Sequence, residues 1–325
     1  MSDCKQIVVL GWDALDLELA ERYGVAHSFG AHRSKIETYE NEHIGEPHTL
    51  ELWPSMILGA PPAEHGIRAA APGDGVNWDN PLLNTASELA NGIIPQSVLT
   101  EVGARLRERG AGIDQRTARQ YREECRDTVF KPADRPISIP NYETDWDRRH
   151  GLDAARNDLW TALQVDRSVA DGIEPQVDMD DVQRILGEAY GRRLGLTLSS
   201  IQAGRPLVWT WFGLVDSAGH MDPAIEYPLQ QEAYKVAATI SRLVRDVAPP
   251  ETAVVSVSDH GLQDGAHTHY ATLAADDARV LERVGAVDEL AGWIRDVDPD
   301  GRAAGGEATQ SHGEMAEQLE ALGYV

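Results

Sequence analysis

The chain has 325 residues, 42% of them hydrophobic, which is enough for one large globular domain or for a core domain with an insertion. It carries 53 acidic residues against 29 basic ones, a net charge of −24, and only four lysines, Lys5, Lys35, Lys131 and Lys235. A surface this acidic excludes a grip on long nucleic acid, which needs basic groups to release counterions, and it suits an ion-rich setting, where the Debye length falls to about 3 Å at 1 M salt.

The first element in chain order is a buried strand over residues 6–12, an apolar run closed by Asp13. A helix is expected from Asp16 to Tyr23. Residues 53–58 are apolar around Pro54, and Gly59-Ala-Pro-Pro62 breaks them. Residues 71–95, rich in Gly, Pro, Asn and Asp, predict loop. Helices are expected over 96–110 and 114–127, the second charged and exposed on most sides. Residues 131–151 are broken by Pro and Asp, with a short strand candidate at Ile137-Ser-Ile139. Helical spacing returns over 178–203, with Val182, Ile185, Leu186, Ala189 and Leu194 on one face. A strand follows from Pro206 to Gly213, then a helix over 229–247, a strand over 253–257 and a short strand over 271–275. A last helix is expected over 313–322.

Strands alternating with helices predict an α/β fold: a largely parallel central sheet with helices on both faces. In such sheets ligands gather at the C-terminal strand ends. Asp13, Asp216 and Asp259 each stand just past one of those ends. The whole chain, 1–325, reads as a single domain, with 74–165 as a candidate cap or insertion within it.

Two stretches carry the chemistry: Asp216-Ser-Ala-Gly-His220, and Ser258-Asp-His-Gly261 followed by His267. Carboxylate and imidazole are the usual oxygen and nitrogen ligands of zinc-like divalent ions. With Asp13 they make a set large enough for two metals. Each piece alone has a plainer reading. Asp13 could be a helix N-cap, and Asp-x-x-x-His merely shares a helix face. Their occurrence together, in order after strands, is what points to a metal centre. His267 and His269 compete for one ligand role, and His267 fits the offset from Gly265 better. His65 reads as structural, and His48 as solvent-exposed.

These residues resemble the alkaline phosphatase superfamily, in the branch of type I phosphodiesterases and nucleotide pyrophosphatases. The matching pieces are Val-Leu-Gly-Trp-Asp13, the ungapped run Thr49 to Ile67 with Gly59, Pro62, His65 and Gly66, then Asp216 to His220, and Ser258 to Gly261 with His267. The closing Leu319 to Tyr324 also looks like that family's ending. The resemblance covers 6–70 and 206–275, and is vague between 71 and 200. It implies an alkaline phosphatase-like three-layer sandwich and two divalent ions, zinc or manganese. It implies Thr49 as nucleophile, placed also against one ion. Asp13, Asp259 and His260 would hold that ion, and Asp216, His220 and His267 the other. Ser55 is the nearby hydroxyl that competes with Thr49.

The activity so implied is hydrolysis of a small phosphorylated substrate, of phosphodiester or nucleotide pyrophosphate type. The alternatives are a phosphomonoesterase or phosphomutase of the same superfamily, or an inactive metal-binding homologue. One departure bears on this choice: Ala70 stands where the pyrophosphatases carry a phosphate-binding Asn, and Arg68, Asn77 and Asn80 are the candidates to replace it. Sulfatase chemistry is disfavoured, because neither Cys4, Cys125 nor Ser55 sits in a Cys/Ser-x-Pro-x-Arg setting. The N-terminus lacks a signal-peptide pattern and no apolar run nears the ~20 residues of a membrane span. The expectation is a cytoplasmic, salt-adapted protein such as a halophile makes. Oligomeric state is not encoded in any motif.

Overall fold

The computed structural model describes residues 4–68, 116–150, 179–221 and 228–297. Its centre is β1 (Gln6–Trp12), buried along its whole length. β1 pairs in parallel with β4 (Leu207–Phe212) on one side and with β5 (Thr252–Ser258) on the other. β3 (Arg135–Ile137) adds in parallel beyond β4. Beyond β5 the direction reverses: β8 (Ala271–Ala275) and then β2 (His32–Ile36) join antiparallel. The order is β2-β8-β5-β1-β4-β3, so the sheet is mostly parallel with an antiparallel edge.

Side chains on a strand alternate between faces, and here both faces are covered. Val8, Leu10 and Trp12 of β1 enter one apolar cluster with Phe212 and Val254. That cluster is completed by Leu186 and Tyr190 of α6 (Met179–Gln202), and by Leu229, Tyr234 and Ala237 of α8 (Leu229–Val247). Ile7 and Val9 point the other way, into a second cluster with Trp209, Val255 and Leu273. Leu52, Trp53 and Met56 of α2 (Thr49–Leu58) and Leu290 and Ile294 of α10 (Glu289–Val297) close that side. The architecture is therefore a three-layer α/β sandwich, as the alternation of strands and helices predicts. Within 74–165, residues 116–150 supply β3 to this sheet and Tyr121, Val129 and Tyr142 to the second cluster; the rest of that stretch lies outside the described residues.

Two details of α2 fix its place. Gly11 faces it: a Cβ there would lie 2.6 Å from the Trp53 ring, so the glycine lets the helix approach the sheet. Pro54 sits inside the helix and cannot donate to the Leu50 carbonyl four residues back. The Asn141 side-chain amide donates to that carbonyl instead, at 3.2 Å, so the proline leaves no orphaned acceptor.

Several boundaries differ from expectation. The strand candidate at 137–139 lies two residues earlier, at Arg135–Ile137, because Ser138 adopts a left-handed φ of 54° and ends it. The charged helix expected over 114–127 is the short α4 (Ala118–Glu123), and its Tyr121 is buried. The elements expected over 71–95, 96–110 and 313–322 lie outside the described residues. No described helix is long and apolar enough to cross a membrane. Cys4 and Cys125 are not joined in a disulfide.

Candidate metal centre

Because β1 and β5 are in register, with Trp12 opposite Ser258, Asp13 and Asp259 leave the sheet side by side. The turn after β1 is tied down at every step. The Asp13 N–H donates to Phe212 O at 2.9 Å, and the Leu15 carbonyl accepts from Ser258 Oγ (2.9 Å) and Thr272 Oγ1 (2.8 Å). Ala14 has a left-handed φ of 61°, and its N–H donates to Asp259 Oδ1 at 3.3 Å. Asp13 is 2% exposed and does not cap α1 (Leu17–Arg22); Asp16 does that, accepting from the Leu19 N–H. The N-cap reading of Asp13 is thus excluded.

Thr49 opens α2 and brings its hydroxyl to these groups: Oγ1 lies 3.0 Å from Asp13 Oδ1 and 3.3 Å from His260 Nε2. His260 is fully buried, with Nε2 3.6 Å from Asp13 Oδ1 and 3.4 Å from Asp259 Oδ2. Asp13, Asp259 and His260 form one compact donor group; Asp216, His260 and His267 form a second. Asp216 and His220 share a face of α7 (Leu214–Met221), with His220 Nε2 3.2 Å from Asp216 Oδ1. His267 lies on β7 (Ala266–Thr268), which makes a small hairpin with β6 (Gly261–Gln263). Its Nε2 is 3.2 Å from His220 Nε2, and its ring stacks on His260 at 4.1 Å between centroids.

The protonation pattern follows from the carbonyls nearby. His260 Nδ1 lies 3.1 Å from Gly261 O, and His267 Nδ1 lies 2.9 Å from Pro47 O. A carbonyl only accepts, so in both rings Nδ1 carries a proton and Nε2 is the atom turned toward the cluster, a lone pair when the ring is neutral. Burial pushes the His267 imidazole below its ordinary range. For Asp216, burial acts upward, but the His220 hydrogen bond and the neighbouring imidazoles outweigh it and hold the carboxyl at about 2. Asp259 Oδ2 is buried with no hydrogen-bond partner among the described residues. Carboxylate oxygens of Asp13 and Asp259 and the Nε2 atom of His260 therefore converge on one point. A cation is the species that such a set fits, since a buried carboxylate oxygen without a partner is costly.

The other candidates separate cleanly. Ser55 is buried against the Glu51 carbonyl (3.0 Å) and His65 Nε2 (2.9 Å). His65 Nδ1 accepts from the Ile67 N–H at 3.0 Å, so its Nε2 donates to Ser55 and does not act as its base. His269 lies away from the cluster; its side chain is 59% exposed and pairs with Glu40 at 2.8 Å. His48, expected to face solvent, instead caps α2, its Nδ1 accepting from the Leu50 N–H at 3.2 Å. Arg68 pairs with Glu42 at 3.3 Å, while Ala70, Asn77 and Asn80 lie outside the described residues.

Sequence reasoning missed the groups that hold the hairpin in place, Asp16 and Tyr270, whose OH donates to Asp16 Oδ2 at 2.6 Å. A helix cap at Asp16 was legible from its position before an apolar helix; no signal marked Tyr270 as its partner.

No family model and no curated protein matches the chain. Among solved structures, it is similar to alkaline phosphatase from the Antarctic bacterium TAB5, with a TM-score of 0.44 and 11% identity over 91% of this chain and 98% of that one. A variant of that enzyme with Mg bound gives 0.42 and 10%, over the same shares. The PH0037 protein from Pyrococcus horikoshii gives 0.43 and 9%, over 90% of this chain and 96% of that one.

Proposed function

We propose that this protein is a metal-dependent hydrolase of phosphate esters, with Thr49 as nucleophile and two divalent ions as cofactors. Asp13, Asp259, His260 and Thr49 would hold one ion, and Asp216, His220 and His267 the other. The observation that carries this reading is the Asp259 carboxylate, buried beside the Nε2 lone pair of His260 and the Asp13 carboxylate with one oxygen unpartnered. The ordered resemblance of these segments to type I phosphodiesterases supports the phosphoester class and favours a diester. Zinc suits the mixed oxygen and nitrogen set, with manganese as the other choice.

When bound, the ions supply positive charge that favours an ionised hydroxyl and offsets the charge of the phosphoryl oxygens. The chain supplies the rest. α2 presents Thr49 Oγ1 at the cluster, and Asp13 accepts its hydrogen bond and fixes its direction. Thr49 Oγ1 gives up its proton and forms a bond to phosphorus as the bond to the leaving alkoxide breaks, and the alkoxide takes up a proton. Water then displaces Thr49 from phosphorus, which restores the hydroxyl and releases the phosphorylated product. The carbonyls of Pro47 and Gly261 hold the His267 and His260 rings with Nε2 inward throughout.

The test is turnover of bis-p-nitrophenyl phosphate and p-nitrophenyl phosphate by zinc- or manganese-loaded protein in high salt. Turnover that chelator removes and metal restores is expected, faster on the diester. Thr49→Ala should lower turnover by at least about 10³-fold, the scale of nucleophile deletions, while zinc stays bound. Retained turnover in that variant would move the nucleophile elsewhere, and folded, metal-loaded protein inert on both esters would sink the reading.

A further inference from the structure

Asp16 does far more than cap a six-residue helix. Its carboxylate is fully buried. Oδ1 accepts the Leu19 N–H at 3.0 Å, which is the cap, and also Gln263 Nε2 at 3.0 Å. Oδ2 accepts the Tyr270 hydroxyl at 2.6 Å, and Thr268 Oγ1 approaches it at 3.5 Å. The Asp16 N–H donates to the Tyr234 hydroxyl at 2.8 Å, which anchors this carboxylate to α8. Gln263 ends β6, Thr268 ends β7 and Tyr270 precedes β8, so one carboxylate grips both strands of the hairpin and its exit.

That hairpin spaces the two imidazoles. His260 directly precedes Gly261, and His267 directly precedes Thr268. Gly261 and Thr268 are partners across the ladder, and the Gly261 N–H donates to Thr268 Oγ1 at 3.0 Å. A Cβ at Gly261 would collide with both Asp16 Oδ2 and Thr268 Oγ1, so the glycine is what lets the carboxylate reach this rung. Helix capping uses one oxygen. The second oxygen, with Tyr270 and Thr268, faces only the hairpin and its exit.

We propose that Asp16, acting with Tyr270, is a positioning residue that sets His267 against His260 and so keeps the Asp216, His220 and His267 subsite in shape for its cation. The proposal rests on the metal reading given above. It names no contact between Asp16 and metal or substrate; the effect runs through the backbone of the hairpin.

The experiment titrates zinc into metal-stripped, full-length protein, comparing wild type with Tyr270→Phe and Asp16→Asn by calorimetry and by metal content after dialysis. Tyr270→Phe removes one hydroxyl and leaves the helix cap intact, so it stays informative if Asp16→Asn folds poorly. Wild type should bind two zinc ions. Both variants should keep one at wild-type affinity and bind the other about tenfold or more weakly, the size of effect seen when a group supporting a metal ligand is lost. Their kcat should fall with little change in KM, and excess zinc should restore it, a rescue that a purely structural defect would not show. Wild-type affinity for both ions in both variants would overturn the positioning proposal and leave the metal reading standing. A kcat loss that zinc does not rescue would overturn it too. A wild type that takes up no zinc would remove the metal reading itself.

Discussion

The two halves of the donor cluster are built differently. Asp13, Asp259 and His260 are 2%, 0% and 0% exposed and stand directly on the ends of the central strands β1 and β5. Asp216, His220 and His267 keep 17%, 30% and 19% of their side-chain surface, and ride on a short helix and a hairpin of three-residue strands. The core thus dictates the inner half, and any error there would propagate into sheet packing. The outer half depends on polar ties such as Asp16 to Tyr270 and His267 to Pro47. The cluster thus has a side set in the core, against which Thr49 is held, and a side facing solvent.

The harshest way to break this contrast is Asp259→Asn. It should abolish tight zinc binding and turnover, yet raise the thermal midpoint of the metal-free protein. Replacing the unpartnered oxygen with an amide gives the neighbouring lone pairs a donor, a gain of about 1–3 kcal/mol. A midpoint that drops in differential scanning calorimetry would mean Asp259 is already satisfied, against the lone-pair account. His220→Ala strikes the outer half. It should leave one zinc ion bound, keep the midpoint near wild type, and cut turnover beyond the roughly 10–100-fold expected for losing a supporting group. Loss of both ions in metal analysis would show that the halves are not separable.

A gentler experiment separates site from scaffold. Burial, helped by the nearby Arg126 charge, lowers the His65 imidazole from its usual 6.5 to about 4. The unfolded chain therefore takes up this proton first as pH falls. The His65 contribution to stability is complete above about pH 6.5 and is lost progressively toward about pH 4, where it levels off. Urea unfolding across that window should show a slope that His65→Gln reduces, because glutamine can still donate to Ser55. Equal slopes in the two proteins would mean His65 is not held neutral by the fold.

The same contrast explains what the sequence could tell. The strands at 6–12, 206–213 and 253–257 were legible because both faces of the sheet are covered, which leaves unbroken apolar runs. The helix over 229–247 was legible to the residue from its periodicity. α2 was obscured by Pro54, since the compensating donor, Asn141, lies 91 positions from Leu50. β2, with the sequence His-Arg-Ser-Lys-Ile, is a mostly polar edge strand without an apolar pattern. The β6–β7 hairpin has strands too short for any period to register. Asp13, Asp216, His220, Asp259 and His260 stood out together, because carboxylates and imidazoles recurring in order after buried strands are not explained by separate helix caps. Tyr270 and Gln263 did not, because their role exists only once Asp16 is folded against them.

The most direct test is anomalous scattering at the zinc edge from crystals soaked with zinc and vanadate. Two peaks are expected, one among Asp13, Asp259 and His260 and one among Asp216, His220 and His267, with the oxyanion against Thr49 Oγ1. No zinc peak within the cluster, or vanadate bound with Thr49 turned away from it, would contradict the account.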